Sequence, residues 1–250
     1  MPFSSGMLIP GRPVYQLTDT GGEGVYNVEA KLLAQYGVAS AAWFLIIVVV
    51  TGERKASTTS GLAIDGSGLH PNANLVIDLQ SANVNGRGGD GGRGGDLTDV
   101  PPITPLVIIP PGDGGDGGDA ISLGCDTTIK GTGVIRCGFG GGSGGAASQQ
   151  AGGGGGGGGA PYGLLGGRGR AIHITFGTNY GNDGNNATED TAGAGGVAVA
   201  TATEGGDGGD DGGAAEAKEA NAGTAGYTVA KNGFTLTKTG SVTYEGSEGT

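Results

Sequence analysis

Aromatic and charged residues are scarce in this chain. Of its 250 residues, 5% are aromatic, with a single tryptophan, and 15% are charged. So little large apolar surface argues against an ordinary enzyme domain, and so low a charge density argues against a disordered polyelectrolyte. The apolar fraction of 36% nevertheless exceeds that of a linker. We therefore expect pairing between backbone segments to contribute much of the stability.

Basic residues and long apolar runs are also in short supply. Thirteen lysines and arginines face 24 acidic residues, giving a net charge of −11, which is the wrong sign for binding nucleic acid or an anionic membrane surface. The one strongly apolar run, residues 41–50, is half the length of a membrane-spanning helix. Its β-branched end favours a buried strand. The first five residues lack the pattern of a signal peptide.

Cysteine is limited to Cys125 and Cys137, which stand twelve positions apart across a predicted hairpin. One disulfide and two reduced buried thiols both fit this spacing. The cellular compartment therefore does not follow from the cysteines.

Glycine is what the chain has in abundance, with 61 residues. In 86–96 and 112–119 every third position carries Arg or Asp and the others are glycine, while 152–159 is unbroken glycine. Period three is the geometry of an extended helix with three residues per turn and no internal hydrogen bonds. Such helices can pair sideways where side chains are absent. This spacing predicts a sandwich of polyglycine II helices with outward Arg and Asp.

Other segments show ordinary signals of secondary structure. A short helix is predicted between Gly21 and Gly37, with Val28, Leu32, Leu33 and Tyr36 on one face, Asn27 as the N-cap and Gly37 as the end. Strands are predicted at 43–50, 62–65 and 75–79. Asn232-Gly233 between alternating segments predicts a C-terminal β-hairpin.

These signals define a fold class and an order of segments. The fold class is mainly β and irregular, with short strands, a polyglycine II sandwich and one short N-terminal α-helix. We divide the chain into an attachment segment (1–38), a β-strand region (39–80), a glycine-rich domain (81–215) and a β-hairpin region (216–250).

Two stretches resemble a known family. Both are similar to the glycine-rich receptor-recognition domains of bacteriophage tail fibres and adhesins. The first is the strand-like sequence 129–137 that leads into Gly138-Phe139-Gly140-Gly141-Gly142, and the second is the C-terminal sequence from Gly226 to Gly240. The resemblance covers 73–246. It implies that polyglycine helices form a rigid slab and that the loops joining them recognise the host. It also implies location in the virion tail and host attachment.

The candidate receptor-binding residues lie where Tyr, Asn, Leu or Phe interrupt the glycine text. The candidate loops are Leu97–Ile109, which is Pro-rich and apolar, and Ala160–Leu165 and Phe176–Asp190, where aromatic side chains on rigid loops would give large contact area. Packing as caps on the slab is the alternative for each loop. The candidate side chains are Tyr162, Leu164, Leu165, Phe176, Asn179, Tyr180, Asn182 and Asp183.

Motifs for catalysis and metal binding are weak. Residues 114–122 fit one copy of a calcium-binding β-roll repeat, which needs tandem copies, so solvated aspartates on a glycine helix are the preferred interpretation and calcium the alternative. Gly141-x-Ser143-x-Gly145 lacks the strand-to-helix context of a hydrolase, and no P-loop is present. We expect no cofactor, no metal and no enzyme activity.

The leading hypothesis is a tail fibre or tail-tip adhesin that binds a bacterial outer-surface protein or glycan. Residues 1–38 would join it to other phage tail proteins, and assembly as a homotrimer is an open option. The alternatives are an ice-binding protein built from polyproline-type helices and a structural virion tail protein without a receptor.

Overall fold

The computed structural model describes residues 11–59, 61–100, 104–210 and 213–250. Strands and irregular segments dominate these residues, which contain a single α-helix, so the predicted mainly-β class is confirmed. The chain forms two compact units. The first contains residues up to 85 with 119–136 and 227–250, and the second contains 86–118 and 137–226. This division differs from four consecutive segments because the first unit is interrupted twice.

The first unit is a parallel β-solenoid with three sheets. The chain visits the sheets in rotation, and within each sheet every strand pairs in parallel with the strand from the next coil. The first sheet contains β1 (Val14–Asp19), β4 (Leu45–Val50), β7 (Asn74–Asp78), β12 (Asp126–Lys130) and β17 (Leu236–Lys238). The second contains β2 (Gly22–Glu23), β5 (Arg54–Lys55), β8 (Val84–Asn85), β13 (Val134–Arg136) and β18 (Thr243–Glu245). The third contains β3 (Tyr26–Asn27), β6 (Ile64–Asp65), β11 (Ile121–Ser122), β16 (Tyr227–Ala230) and β19 (Ser247–Glu248).

The solenoid core consists of apolar ladders that run from coil to coil. Alternation along each strand directs one set of side chains inward, and parallel register stacks like on like about 4.8 Å apart. In the first sheet Leu17 pairs with Val48, which pairs with Ile77, which pairs with Ile129. All four side chains are fully buried. Short aliphatic side chains in a continuous stack therefore replace the aromatic core that the composition cannot supply.

The one helix covers the first coil. Helix α1 (Val28–Tyr36) begins where the Asn27 side chain accepts a hydrogen bond from the Ala30 N–H at 2.8 Å, and ends at Gly37 with φ of 70°. Val28 and Leu32 are buried against β1 and β3. The predicted helix and both caps are confirmed, although Leu33, expected on the buried face, is 55% exposed.

A buried ion pair fixes a corner of the solenoid. Asp19, at the end of β1, has a fully buried side chain that accepts two hydrogen bonds from the guanidinium of Arg54 in β5. The same guanidinium donates to the Gly21 carbonyl at 2.7 Å. The pair thereby ties the turn between β1 and β2 in the first coil to β5 in the second coil.

The hairpin prediction at the C-terminus is wrong. Asn232 and Gly233 form the expected turn, with φ of 52° and 84° and a 2.9 Å bond from Phe234 N to Lys231 O. The turn instead rounds a solenoid corner, because β16 pairs with β11 in the third sheet and β17 pairs with β12 in the first. A hairpin between Cys125 and Cys137 is absent for the same reason, since β12 and β13 lie in different sheets. Both cysteines are buried, and no disulfide joins them.

The second unit is built from extended segments that bond sideways. Segment 86–96 donates from Gly89, Gly92 and Gly95 to residues 139, 142 and 145, at 2.8–2.9 Å. It donates from Gly88, Gly91 and Gly94 to residues 161, 164 and 167. It also accepts hydrogen bonds from two further segments, again at every third residue. This lateral pairing with a step of three is what a polyglycine II sandwich requires.

Unbroken glycine occurs where a segment is surrounded. Within the described residues, segment 152–160 bonds to six neighbouring segments, which are 86–96, 138–146, 163–170, 181–188, 191–197 and 203–210. A Cβ added at Gly155 would lie 2.0 Å from the Gly166 carbonyl oxygen, and one at Gly157 would lie 1.8 Å from that of Gly193. Because no face of this segment is free along 152–159, none of these glycine positions has room for a side chain.

Segments at the periphery carry one outward side chain in three, and the aspartates there bind backbone. Asp116 accepts a 2.7 Å bond from the Thr224 N–H, and this bond lowers the pKa of the carboxyl. Asp113 accepts from Asn221 N and Asp90 from Leu164 N. The outward aspartates therefore satisfy N–H groups of the adjoining segment while remaining exposed.

A four-stranded sheet completes this unit. Its order is β10 (Thr104–Ile109), β9 (Asp96–Val100), β14 (Arg170–His173) and β15 (Gly177–Tyr180). β9 and β10 form one hairpin, β14 and β15 form another, and the parallel pairing of β9 with β14 joins them. Two loops far apart in sequence thus form one surface.

Candidate functional site

The glycine unit has two distinct ends. Gly118 N donates to Arg87 O, Gly138 N to Gly118 O and Gly226 N to Gly138 O, at 2.7–2.9 Å. These bonds place side by side the four points at which the chain enters or leaves the unit. We call this the connection end.

The opposite end carries most of the long loops. Gly153 N donates to Gly95 O, Gly169 N to Gly153 O and Gly181 N to Gly169 O, at 2.9–3.1 Å. Each of these residues adjoins a loop or strand that leads away from the glycine network. We call this the loop end, and its described residues are 97–100, 104–111, 147–151, 171–180 and 197–202.

Exposed apolar side chains concentrate at the loop end. Ile108 is 61% exposed, Ile174 62% and Val197 64%. Phe176 and Tyr180 are each about half exposed. Contiguous surface patches of large, exposed apolar side chains mark interaction sites in soluble proteins. The remaining members of this set are Leu106, Val107 and Ile109.

Polar contacts fix the hairpin of β14 and β15. The Thr175 N–H donates to His173 Nδ1 at 3.1 Å, and His173 Nε2 lies 3.5 Å from a carboxylate oxygen of Asp99 in β9. The His173 ring packs on Phe176 with centroids 5.0 Å apart, and Asn179 Nδ2 donates to the Phe176 carbonyl. These contacts hold an exposed aromatic ring in a defined position.

Asp96 connects the two hairpins to each other. Its carboxylate accepts from the Arg170 N–H at 2.6 Å and pairs with the guanidinium of Arg93. Arg168 lies over the ring of Tyr180, 5.1 Å from its centroid. Charged groups at the loop end therefore position the strands and the tyrosine.

The structure separates the predicted residues into three places. Phe176, Asn179 and Tyr180 lie together at the loop end. Asn182 and Asp183 follow on segment 181–188, where Asn182 donates to Val197 O and Asp183 accepts from Arg168 N.

The predicted loop Ala160–Leu165 lies elsewhere. Its turn is at the connection end, where Tyr162 has φ of 61° and donates its N–H to Thr188 O. Leu164 and Leu165 lie on the outer side of segment 163–170, 47% and 38% exposed. The direction of each segment, which composition does not reveal, places this loop apart from Phe176 and Tyr180.

Ile174 and Val197 were missed as surface residues. Neither residue is among the candidate side chains that the sequence predicts. Their position next to glycine segments was the available signal.

Two further features concern metal binding and membrane insertion. Within the described part of the chain, no three or more His, Cys, Asp or Glu side chains converge as metal ligands would. The one helix there is too short to cross a membrane.

Comparison with protein families shows which family the chain resembles over most of its length. The model of the family described as phage tail fibre adhesin Gp38 matches residues 15–249, which is nearly the whole chain. Searches of curated proteins and of solved structures return no match. The match confirms the resemblance drawn from the glycine-rich text and favours a tail adhesin over an ice-binding protein. The chain therefore belongs to the Gp38 family of phage tail fibre adhesins.

Proposed function

We propose that the loop end of the glycine unit binds a component of the bacterial outer surface, a protein or a glycan, without enzymatic activity. The observation that carries this proposal is the concentration of exposed Ile, Val, Phe and Tyr side chains at the end opposite the chain connections. A tail adhesin must present such a surface to its host.

The glycine network suits the presentation of loops. Each hairpin at the loop end begins and ends in segments whose backbone groups are bonded to neighbours at every third residue. Anchored loops lose little conformational entropy when they bind, and so less of the interaction free energy is spent on ordering them. Phe176 and Tyr180 supply contact area at a low rotamer cost.

Attachment to other tail proteins is assigned to residues 1–38, as the sequence predicts. Residues 1–10 lie outside the described residues. Residues 14–27 form the first solenoid coil, and α1 follows directly. Trp43, just before the second coil, is 75% exposed with φ of 72°. We include it with the attachment surface, and trimeric assembly remains part of this proposal.

The test measures binding of labelled protein to cells of the host strain. Tyr180→Ala and Phe176→Ala should each weaken binding roughly thirtyfold, about 2 kcal/mol, with the melting temperature nearly unchanged. Tyr162→Ala is the matched control, because Tyr162 lies at the connection end. An equal loss of affinity in Tyr162→Ala would show that the loop Ala160–Leu165 also contributes to binding. Wild-type affinity of both loop-end variants would refute the proposal.

A further inference from the structure

Strand β10 leaves one of its edges open. It ends the four-stranded sheet, and among the described residues its ladder partner is β9 alone. Leu106, Val107, Ile108 and Ile109 are 55%, 44%, 61% and 47% exposed. Because neighbouring residues of a strand point to opposite faces, both faces of β10 are exposed along with its edge.

This edge lacks the charged side chains that commonly protect an exposed strand against pairing. Exposed edge strands are commonly blocked by charged side chains. In the solenoid, the edge formed by the last coil carries Lys238, Glu245 and Glu248, all engaged in ion pairs. By contrast, no residue from 100 to 112 carries a charge. The β10 edge is open to an uncharged partner.

Prolines set the length of the open edge. Pro105 and Pro110 bracket residues 106–109, and proline has no N–H to donate. About half of the N–H and C=O groups of these four residues face away from β9, since ladder bonds alternate sides in an antiparallel pair. The edge is therefore suited to an extended segment of about four residues.

We propose that β10 binds an extended, uncharged segment of a protein on the bacterial surface, which adds to the sheet as a further strand. The unpaired backbone groups fix the backbone conformation of the partner, and the aliphatic side chains on both faces select apolar residues in it. This inference rests on the proposed function and specifies its partner and binding mode.

The side chains of β10 argue against a glycan at this edge. Sugar hydroxyls need polar side-chain partners, and residues 105–111 offer only aliphatic and proline side chains. A four-residue pairing is weak by itself. Ile174 N donates to Asp99 O in the adjoining β9, so the exposed Ile174 side chain is available in the same sheet for further apolar contact.

The experiment uses the full chain and outer-membrane vesicles prepared from the host strain. Hydrogen exchange should show new protection at alternate amides of 106–109 in the bound protein. Ile108→Lys should weaken vesicle binding at least about tenfold, because it places a charge on the edge. Tyr227→Lys is the control, because Tyr227 is 44% exposed in β16 of the solenoid, outside the loop end, and it should change binding less than about twofold.

Each contrary outcome is distinguishable. If the wild-type protein binds no vesicles, the proposed function fails. If it binds but 106–109 gain no protection and Ile108→Lys and Val107→Lys both bind normally, the strand-addition inference alone fails. Three other outcomes would refute a protein as the partner of β10. The first is binding that survives protease treatment of the vesicles but not periodate, which would indicate a glycan. The second is binding to protein-free lipid vesicles, and the third is concentration-dependent dimerisation that is lost in Ile108→Lys. Melting temperatures of all three lysine variants verify that they fold.

Discussion

A methyl group at the centre of the glycine network should be far more damaging than one at its surface. In Gly157→Ala the new Cβ would lie 1.8 Å from the Gly193 carbonyl oxygen and 2.4 Å from its carbonyl carbon. Contacts between such atoms need about 3 Å or more, so the two segments must separate by more than about 1 Å. Overpacking of a tight interior costs about 1–3 kcal/mol.

The separation would also break hydrogen bonds. Gly157 N donates to Gly206 O, and Gly193 N to Gly158 O, at 2.9 and 2.8 Å. Each buried bond that is lost with its partners left unsatisfied costs about 1–3 kcal/mol. We therefore expect a loss of about 4 kcal/mol or more, which is a large part of a typical stability of about 5–15 kcal/mol. For a chain of this size that corresponds to a fall in melting temperature of roughly 8 °C or more.

Gly167→Ala is the matched control for this experiment. Gly167 lies in the neighbouring segment 163–170, and a Cβ added there would meet no atom within 4 Å. Removing a glycine at such a position stabilises a protein by about 0.4–1 kcal/mol through the unfolded chain. Thermal unfolding of both variants, with hydrogen exchange of amides 153–160, provides the assay. Similar melting temperatures for the two variants, or rapid exchange of these amides in the wild-type protein, would refute the account of close lateral packing.

Three further predictions concern stability and reactivity. Asp19→Ala should lower the free energy of unfolding by about 3–5 kcal/mol in a denaturant titration, because it leaves the Arg54 guanidinium without its buried partner; a change under about 1 kcal/mol would contradict this. The Thr224 N–H lowers the pKa of Asp116 in the folded protein. The contribution of Asp116 to the free energy of unfolding is therefore present above the unfolded pKa of about 3.9 and is lost as the pH falls below that value. Asp116→Asn should reduce the slope of stability against pH in this acid range, and an unchanged slope would contradict the prediction. Burial raises the pKa of the Cys125 thiol to about 11, so alkylation followed by mass spectrometry should be slow in native buffer and rapid in denaturant, and fast labelling of native protein would show that the thiol is accessible.

The local elements of this protein follow from its sequence. Asn27 and Gly37 specify the two ends of α1 through capping geometry, which involves only neighbouring residues. The Asn232-Gly233 turn forms for the same reason. The step of three in 86–96 follows from the need for two faces without side chains, and the unbroken glycine of 152–159 follows from the need for none on any face.

Long-range pairing was decided by the tertiary structure. The alternating strands on either side of Asn232-Gly233 fit a hairpin and a solenoid corner equally well, because both place apolar residues on one face. Pairing with β11 and β12 prevails in the structure, where parallel stacking continues the buried ladders of the preceding coils. The candidate site depended on pairing in the same way. Phe176 and Tyr180 lie together and Tyr162 lies at the other end of the unit because hydrogen-bonded neighbours set the direction in which each segment runs. The glycine spacing in the sequence is the same for either direction and so does not predict it.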